Sequence, residues 1–155
     1  MTEQEFTAAA ERHLDLVYRV ALNCLRNPAD AEDAAQTAML RLWQSGQAFP
    51  DDDQLRYWLV RVTVNVCKDA CRSPWRRRMV PLDHCREPAF DTPEHQTLYA
   101  EVMALPAKYR LPLYLYYYEG YTAAEVGALL GLKPSTVQTR LSRAREKLKA
   151  QLKEE

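Results

Sequence analysis

Apolar residues recur every three or four positions through most of this 155-residue chain, and this spacing predicts α-helices. The first such stretch covers about residues 3–25 and is followed by Asn27 and Pro28. A second helix is expected to begin there, because Asn27 suits an N-cap and Pro28 suits the first helical turn. It should run to about Trp43, and a loop should follow over residues 46–53.

Residues 54–72 carry two competing patterns. Four valines alternate with other residues as in an amphipathic strand: Val60, Val62, Val64 and Val66. A second set of apolar residues repeats at helical spacing: Leu55, Trp58, Leu59, Val62, Val66 and Ala70. We expect a helix, because the stretch is long for a strand and no partner strand is apparent. Trp58 lies on the apolar stripe and is expected in the core.

The second half of the chain opens with a helix that has Thr92 as its expected N-cap and runs to Leu105. After Pro106 an aromatic-rich helix is expected, ending near Gly120. Its tyrosines are either packing side chains or a stacking platform for bases, and their spacing favours packing in the core. These residues are Tyr114, Tyr116, Tyr117 and Tyr118.

The last two predicted helices, residues 122–130 and 134–149, are joined by a connector of three residues, which is the spacing of a helix-turn-helix. One stripe of the second helix is apolar: Val137, Leu141, Ala144, Leu148 and Leu152. At about 100° per residue the opposite face carries hydrogen-bonding side chains and a cation. They are Ser135, Gln138, Thr139, Ser142 and Arg143, flanked by Arg140, Arg145 and Lys147.

Such a face suits the major groove of DNA, where short polar or bidentate side chains meet base edges and cations meet phosphates. The alternative is a solvated amphipathic helix with a basic outer face. The preceding turn favours DNA binding, since Gly131 relieves the turn and Pro134 suits the first helical position. Lys133, the expected N-cap, is a poor capping residue.

Charge is unevenly distributed, although the formal net charge is zero. Residues 1–54 hold 4 Lys/Arg and 10 Asp/Glu (net −6), and residues 55–79 hold 7 and 1 (net +6). Residues 80–94 hold 1 Lys/Arg and 4 Asp/Glu (net −3), and residues 95–155 hold 9 Lys/Arg and 6 Asp/Glu (net +3). We therefore expect an all-α protein with two small helical domains, residues 1–79 and 95–155, joined by an acidic, proline-containing linker, residues 80–94.

Several classes of protein are disfavoured. The chain has no apolar run near the roughly 20 residues of a membrane span and its start lacks the pattern of a signal peptide, so we expect a cytoplasmic protein without membrane insertion. The four cysteines, Cys24, Cys67, Cys71 and Cys85, show no CxxC spacing. We expect reduced thiols, no metal and no cofactor, although a metal or redox site at Cys67 and Cys71 with His84 and Cys85 is the alternative.

Long segments resemble a known family. Residues 105–110 (LPAKYR), 116–126 (YYYEGYTAAEV) and 135–145 (STVQTRLSRAR) resemble domain 4 of extracytoplasmic-function (ECF) sigma factors of the sigma-70 family. Residues 30–36 (DAEDAAQ), 40–43 (LRLW), 57–62 (YWLVRV) and 65–69 (NVCKD) resemble sigma domain 2. Only the linker lacks a signature.

The resemblance implies a specificity subunit of bacterial RNA polymerase that directs transcription initiation at promoters. In that family domain 2 binds the clamp helices of the largest polymerase subunit and captures the promoter −10 element. Domain 4 rests on the β flap and reads the −35 element. Members are commonly held by an anti-sigma factor, so an anti-sigma factor is an expected partner.

The resemblance also assigns residues. The acidic second helix supplies the polymerase-binding residues Asp30, Asp33, Gln36 and Arg41, although Thr37 stands where relatives often carry an acid. The −10 residues are Arg61, Asn65, Lys68, Arg72, Trp75, Arg76, Arg77 and Arg78. Melted DNA requires cations along its backbone and a surface for an extruded base, and Asn65 resembles the position that approaches this base.

For the −35 element, the residues expected to face bases are Gln138, Thr139, Ser142 and Arg143. Gln138 suits adenine and Arg143 suits guanine. The residues assigned to phosphate are Ser135, Thr136, Arg140, Arg145 and Lys147.

Two other functions compete with this interpretation. An autonomous helix-turn-helix regulator would need no polymerase, but it usually needs a dimer, and no dimer helix is obvious. An enzyme is disfavoured because no nucleophile, base and orienting group form a recognisable set.

Overall fold

The computed structural model of the chain describes residues 1–72 and 93–153, and all the regular structure in these ranges is helical. The chain divides into two units, Met1–Cys85 and Arg86–Glu155. The first holds α1 (Glu3–Leu25), α2 (Pro28–Ser45) and α3 (Asp52–Arg72). The second holds α4 (Pro93–Ala104), α5 (Ala107–Leu113), a π-helical turn (Tyr114–Tyr118), α6 (Ala123–Leu130) and α7 (Pro134–Lys153). The all-helical prediction is confirmed.

Helix ends in the first unit follow local chemistry. Thr2 and Glu5 form a capping box at the start of α1, each side chain bonding the other's backbone N–H. Arg26 ends α1 in the left-handed region at φ 58°, and the Asn27 side chain then accepts from the Asp30 N–H at 3.0 Å. The predicted start of α2 is correct, and the helix runs two residues past the predicted Trp43.

The core of the first unit lies where α1, α2 and α3 pack against one another. Val17, Leu42 and Leu59 are fully buried there. Residues 54–72 are helical, so the helical period prevailed over the alternating valines. Trp58 packs on this core, half-buried, with its ring edge-to-face against Phe49 at 5.6 Å between centroids.

A polar contact joins α1 to the start of α3. The buried His13 Nε2 lies 2.9 Å from Asp52 Oδ1, and Arg12 Nη2 lies 3.1 Å from the same oxygen. The hydrogen bond with His13, helped by the charge of Arg12, holds the pKa of Asp52 below its ordinary value of 3.8.

In the second unit α7 packs against α4, α5 and α6. Leu105, Leu115, Val126 and Leu141 are almost wholly excluded from solvent in its core. The predicted single aromatic-rich helix is instead α5 followed by a π-helical turn, in which the Glu119 N–H donates to the Tyr114 carbonyl at 3.2 Å. Pro112 lies just before this turn, and a proline cannot supply the N–H that regular α-helical bonding requires.

Candidate DNA-binding and protein-binding surfaces

The turn between α6 and α7 is held by short-range contacts. Thr122 and Glu125 form a capping box at the start of α6, and Gly131 ends the helix in the left-handed region at φ 72°. The Leu132 N–H donates to the Gly127 carbonyl at 2.8 Å. A Cβ at Gly127 would stand 2.5 Å from the Leu132 carbonyl oxygen, so the connector crosses α6 where there is no side chain.

Helix α7 begins at Pro134 as predicted, and the Lys133 carbonyl accepts from the Val137 N–H at 3.1 Å, as an N-cap carbonyl does. The buried stripe consists of Val137, Leu141 and Ala144. Leu152 was predicted on this stripe but is 44% exposed, because the packing does not extend to the last turn.

The side chains predicted to face DNA lie on the open side of α7. The exposed ones are Ser135, Gln138, Thr139, Ser142, Arg143, Arg145 and Lys147, and the half-buried ones are Thr136 and Arg140. The Thr139 hydroxyl donates to the Ser135 carbonyl at 3.1 Å. A polar face bordered by cations is therefore open along four turns of the helix.

Tyrosines flank this face, and sequence reasoning missed their role. Tyr117 and Tyr118 are 55% and 66% exposed, so the core prediction is wrong for these two. The Tyr117 hydroxyl accepts a hydrogen bond from Arg145 Nη1, and the Arg145 guanidinium carbon lies 5.9 Å from the Tyr117 ring centroid. Their separation of 28 residues explains why local pattern did not pair them.

Tyr109 has a buried ring between two lysines, with Lys108 Nζ 5.0 Å and Lys147 Nζ 5.5 Å from its centroid. A hydrogen bond with Arg143, helped by Lys108, lowers the pKa of the Tyr109 hydroxyl. Arg143 and Lys147 lie one turn apart on α7, so they share the side of the helix that faces this tyrosine.

On α3 the predicted −10 residues Arg61, Asn65 and Lys68 are exposed and follow one another at helical spacing, so they form one line on the surface. Arg72 is the last residue of α3. Trp75, Arg76, Arg77 and Arg78 lie outside the described residues. The structure thus brings together three of the predicted −10 side chains.

On α2 the predicted polymerase-binding residues Asp33, Gln36 and Arg41 are exposed, and Asp30 is half-buried. Arg41 Nη2 lies 3.7 Å from Asp69 Oδ2 of α3, and both side chains are largely exposed, so this pair adds little stability. The Thr37 hydroxyl donates to the Asp33 carbonyl at 2.9 Å.

Three large apolar side chains of the first unit are also open to solvent: Leu14, Leu40 and Trp43, at 45%, 53% and 45% exposure. Leu14 is exposed although it lies at helical spacing from the buried Val17 and Ala21 of α1. Trp43 meets Phe6 edge-to-face at 5.3 Å between ring centroids. The exposed leucine and tryptophan on the acidic helix α2 add apolar area to the side of the chain whose negative charge favours a protein contact.

Among the cysteines that the structure describes, Cys24 is half-buried, Cys67 is buried and Cys71 is exposed, all as free thiols. Within residues 1–72 and 93–153, no three His, Cys, Asp or Glu side chains are grouped so as to hold a metal ion. None of the helices described is long and apolar enough to cross a membrane.

The geometry of the second unit is that of a helix-turn-helix DNA-binding domain, and comparisons with known proteins agree. Residues 9–77 match the family Sigma-70 region 2, and residues 95–148 match Sigma-70, region 4. The ECF RNA polymerase sigma factor SigE of Mycolicibacterium smegmatis is 35% identical over 149 residues, covering 89% of this chain and 58% of SigE. SigL of Mycobacterium tuberculosis is 31% identical over 156 residues, covering 95% of this chain and 88% of SigL.

Two solved structures share the fold. The sigma factor RpoE in complex with the anti-sigma factor NepR, from Bartonella quintana, has a TM-score of 0.74 at 20% identity and covers 97% of this chain and 98% of RpoE. CnrH in complex with the cytosolic domain of CnrY has a TM-score of 0.68 at 24% identity. This match covers 99% of this chain and 91% of CnrH. On its two family matches and its relatives, the chain belongs to the ECF RNA polymerase sigma factors.

Proposed function

We propose that this chain binds bacterial core RNA polymerase and directs it to promoters by recognising a −10 and a −35 element. One observation carries the proposal. A helix-turn-helix that matches region 4 has an open face of polar and cationic side chains, and it occurs in the same chain as a three-helix unit that matches region 2. A repressor-like regulator has no need of the second match.

The −35 element is read by α7 in this proposal. Gln138 has the amide geometry to pair with adenine, and Arg143 has the fork that pairs with guanine O6 and N7. Thr139 and Ser142 also face the bases. The phosphate contacts are Ser135, Thr136, Arg140, Arg145 and Lys147, whose hydroxyls and cations border the face.

The −10 element is bound by the outer side of α3. Arg61 and Lys68 stand one turn either side of Asn65, so cations border an amide that can donate to and accept from an extruded base. Arg72, Trp75, Arg76, Arg77 and Arg78 are the further residues proposed for the −10 element, on their sequence alone.

Polymerase is bound through α2. Asp33 and Gln36 are exposed polar residues, and Leu40, 53% exposed, lies one turn beyond Gln36 on the same helix. An interface needs an apolar centre with a polar rim, and this side of α2 supplies both. Asp30 and Arg41 complete this surface of α2. It binds the clamp helices of the largest polymerase subunit, and the second unit binds the β flap.

An anti-sigma factor is the third proposed partner. The chain resembles RpoE and CnrH, which were solved in complexes with NepR and with the cytosolic domain of CnrY. A protein that covers the polymerase-binding or DNA-binding face would hold this chain inactive in the cytoplasm.

In vitro transcription tests the main proposal. Core polymerase, with and without the purified chain, is given sheared genomic DNA of the source bacterium, and the 5′ ends of the transcripts are sequenced. We expect a set of start sites that share −10 and −35 sequences and appear only with the chain present. A variant with Gln138→Ala and Arg143→Ala serves as the control and should lose the −35 preference.

Two outcomes oppose the proposal. Absence of chain-dependent start sites, although the chain is folded, rejects polymerase-directed initiation. Tight, sequence-specific binding of duplex DNA by the free chain, with no change in transcription by core polymerase, indicates an autonomous regulator instead.

A further inference from the structure

Two tyrosines from the elements before the helix-turn-helix meet the cations of α7, one on each flank of its open face. Tyr117, in the π-helical turn, accepts a hydrogen bond from Arg145 and lies under its guanidinium group. Tyr109, on α5, has Lys147 above its ring, one helical turn from Arg143. The two flanks follow from the helical positions of these cations, since Arg145 lies about 160° around the axis from Lys147.

The hydroxyl of tyrosine suits this task because it is a neutral acceptor. A carboxylate in the same place would orient a guanidinium group but would also cancel its charge toward phosphate. A tyrosine ring and hydroxyl restrict the rotamers of the cation while its positive charge stays available to DNA. Ordering long side chains before binding lowers the entropy lost in the complex.

We propose that Tyr117 and Tyr109 are positioning residues for −35 recognition, which hold Arg145 and Lys147, respectively, in the orientation that meets DNA. The inference rests on the proposed function and adds to it two residues that do not themselves touch bases. It also explains why tyrosines in this segment are partly open to solvent, since Tyr117 serves the neighbouring helix and not the core.

A second contact restricts Arg145 on the Tyr117 flank. Arg145 Nη2 also donates to Ser142 Oγ at 3.4 Å, so Tyr117, Arg145 and Ser142 form a chain of contacts. The Ser142 hydroxyl keeps its hydrogen and a second lone pair, so it can still donate to or accept from a base.

The test compares holoenzymes formed with wild-type chain, Tyr117→Phe, Tyr116→Phe, Arg145→Ala and the Tyr117→Phe, Arg145→Ala double variant. Tyr116→Phe is the matched control, because it removes a hydroxyl one residue away and keeps the ring that packs edge-to-face on Tyr117 at 4.9 Å. Affinity is measured for a promoter found in the transcription assay and for the same promoter with its −35 element scrambled.

We expect Tyr117→Phe to weaken binding of the intact promoter roughly three- to tenfold, in line with the net contribution of one ordinary hydrogen bond. Binding of the scrambled promoter should change much less, and Tyr116→Phe should match wild type on both. In the Arg145→Ala background, Tyr117→Phe should cause no further loss. Equal thermal unfolding midpoints for the variants exclude a general loss of fold.

Tyr109→Leu tests the other flank, since it removes the ring below Lys147 and keeps an apolar side chain at this buried position. It should weaken binding of the intact promoter and cause no further loss in a Lys147→Ala background. The proposal is overturned if the Tyr117→Phe and Tyr116→Phe holoenzymes bind alike, or if Tyr117→Phe is equally harmful without Arg145. If the wild-type chain directs no promoter-specific initiation, the proposed function itself fails. If the wild-type chain does direct such initiation, the variants test only the positioning role of the tyrosines.

Discussion

The guanidinium group of Arg110 is buried and donates from Nη1 to the Leu105 carbonyl at 2.7 Å. The same nitrogen lies 3.4 Å from the Met103 carbonyl, near the end of α4. The last carbonyls of a helix have no partner within it, and a cation there also favours the helix dipole. The buried Arg110 side chain on α5 thus caps the C-terminal end of α4.

Arg110→Met should destabilise the second unit by about 2–4 kcal/mol, because buried carbonyls lose their charged donor while the side-chain volume is nearly kept. Urea unfolding followed by circular dichroism measures the change. Arg140→Met is the control, since Arg140 is only half-buried on α7, and it should change the free energy of unfolding by less than about 0.5 kcal/mol. Similar losses for both variants would contradict the role of Arg110.

Gly127→Val should damage the helix-turn-helix. A Cβ added at residue 127 would lie 2.5 Å from the Leu132 carbonyl oxygen. The two methyl groups of valine would add to this clash and push the connector away from α6. We expect at least about a tenfold loss of affinity for the −35 element, which corresponds to roughly 1.4 kcal/mol. The measurement is holoenzyme binding to intact and −35-scrambled promoters.

Ala128→Val is the control for this variant, because residue 128 is exposed on the same helix and its methyl groups meet solvent. Both variants end with the same valine side chain and share its β-branched penalty in a helix. A −35 preference that survives Gly127→Val unchanged would show that the connector adapts.

Arg143→Ala should cost about 1–3 kcal/mol at one −35 base pair and relax the preference at that position. The experiment measures holoenzyme binding to promoters that differ at each −35 base pair in turn. Lys149→Ala is the control, because it also removes one cation, at the exposed far end of α7. It should leave base discrimination unchanged. Equal weakening on every sequence would make Arg143 a phosphate contact.

Asp52→Asn should destabilise the first unit at neutral pH and have progressively less effect in acid. The pKa of Asp52 is lowered in the folded chain, so its contribution is complete above its ordinary pKa of 3.8 and is lost as the pH falls through the lowered folded value. The carboxylate is half-exposed, so we expect no more than about 1 kcal/mol. Unfolding free energies at pH 6 and pH 3 measure the difference.

Asp53→Asn is the matched control, since Asp53 shares the first turn of α3 and hence the helix dipole. The difference between the two variants gives the contribution of the Asp52 contacts with His13 and Arg12 to the free energy of unfolding. If the two variants show the same pH dependence, the helix terminus and not the contact with α1 is responsible.

Local sequence was sufficient for most of the helices and for the exposed polar face of α7. The starts of α2 and α7 and the polar face of α7 follow from caps, prolines and a period of three to four residues. These features are set by contacts within a few residues, so they can be read along the chain. The same period decided correctly that residues 54–72 form a helix.

Tertiary packing decided which long side chains are buried and what they meet. Arg110 is buried although it is a cation, because the carbonyls of Met103 and Leu105, at and just after the end of α4, accept from its guanidinium group. Tyr117 meets Arg145 across 28 residues, and Leu14 and Leu152 are exposed because no neighbouring element covers their part of the stripe. Periodicity gives the side of a helix on which a residue lies, but only the docking of distant segments determines whether anything lies opposite that side.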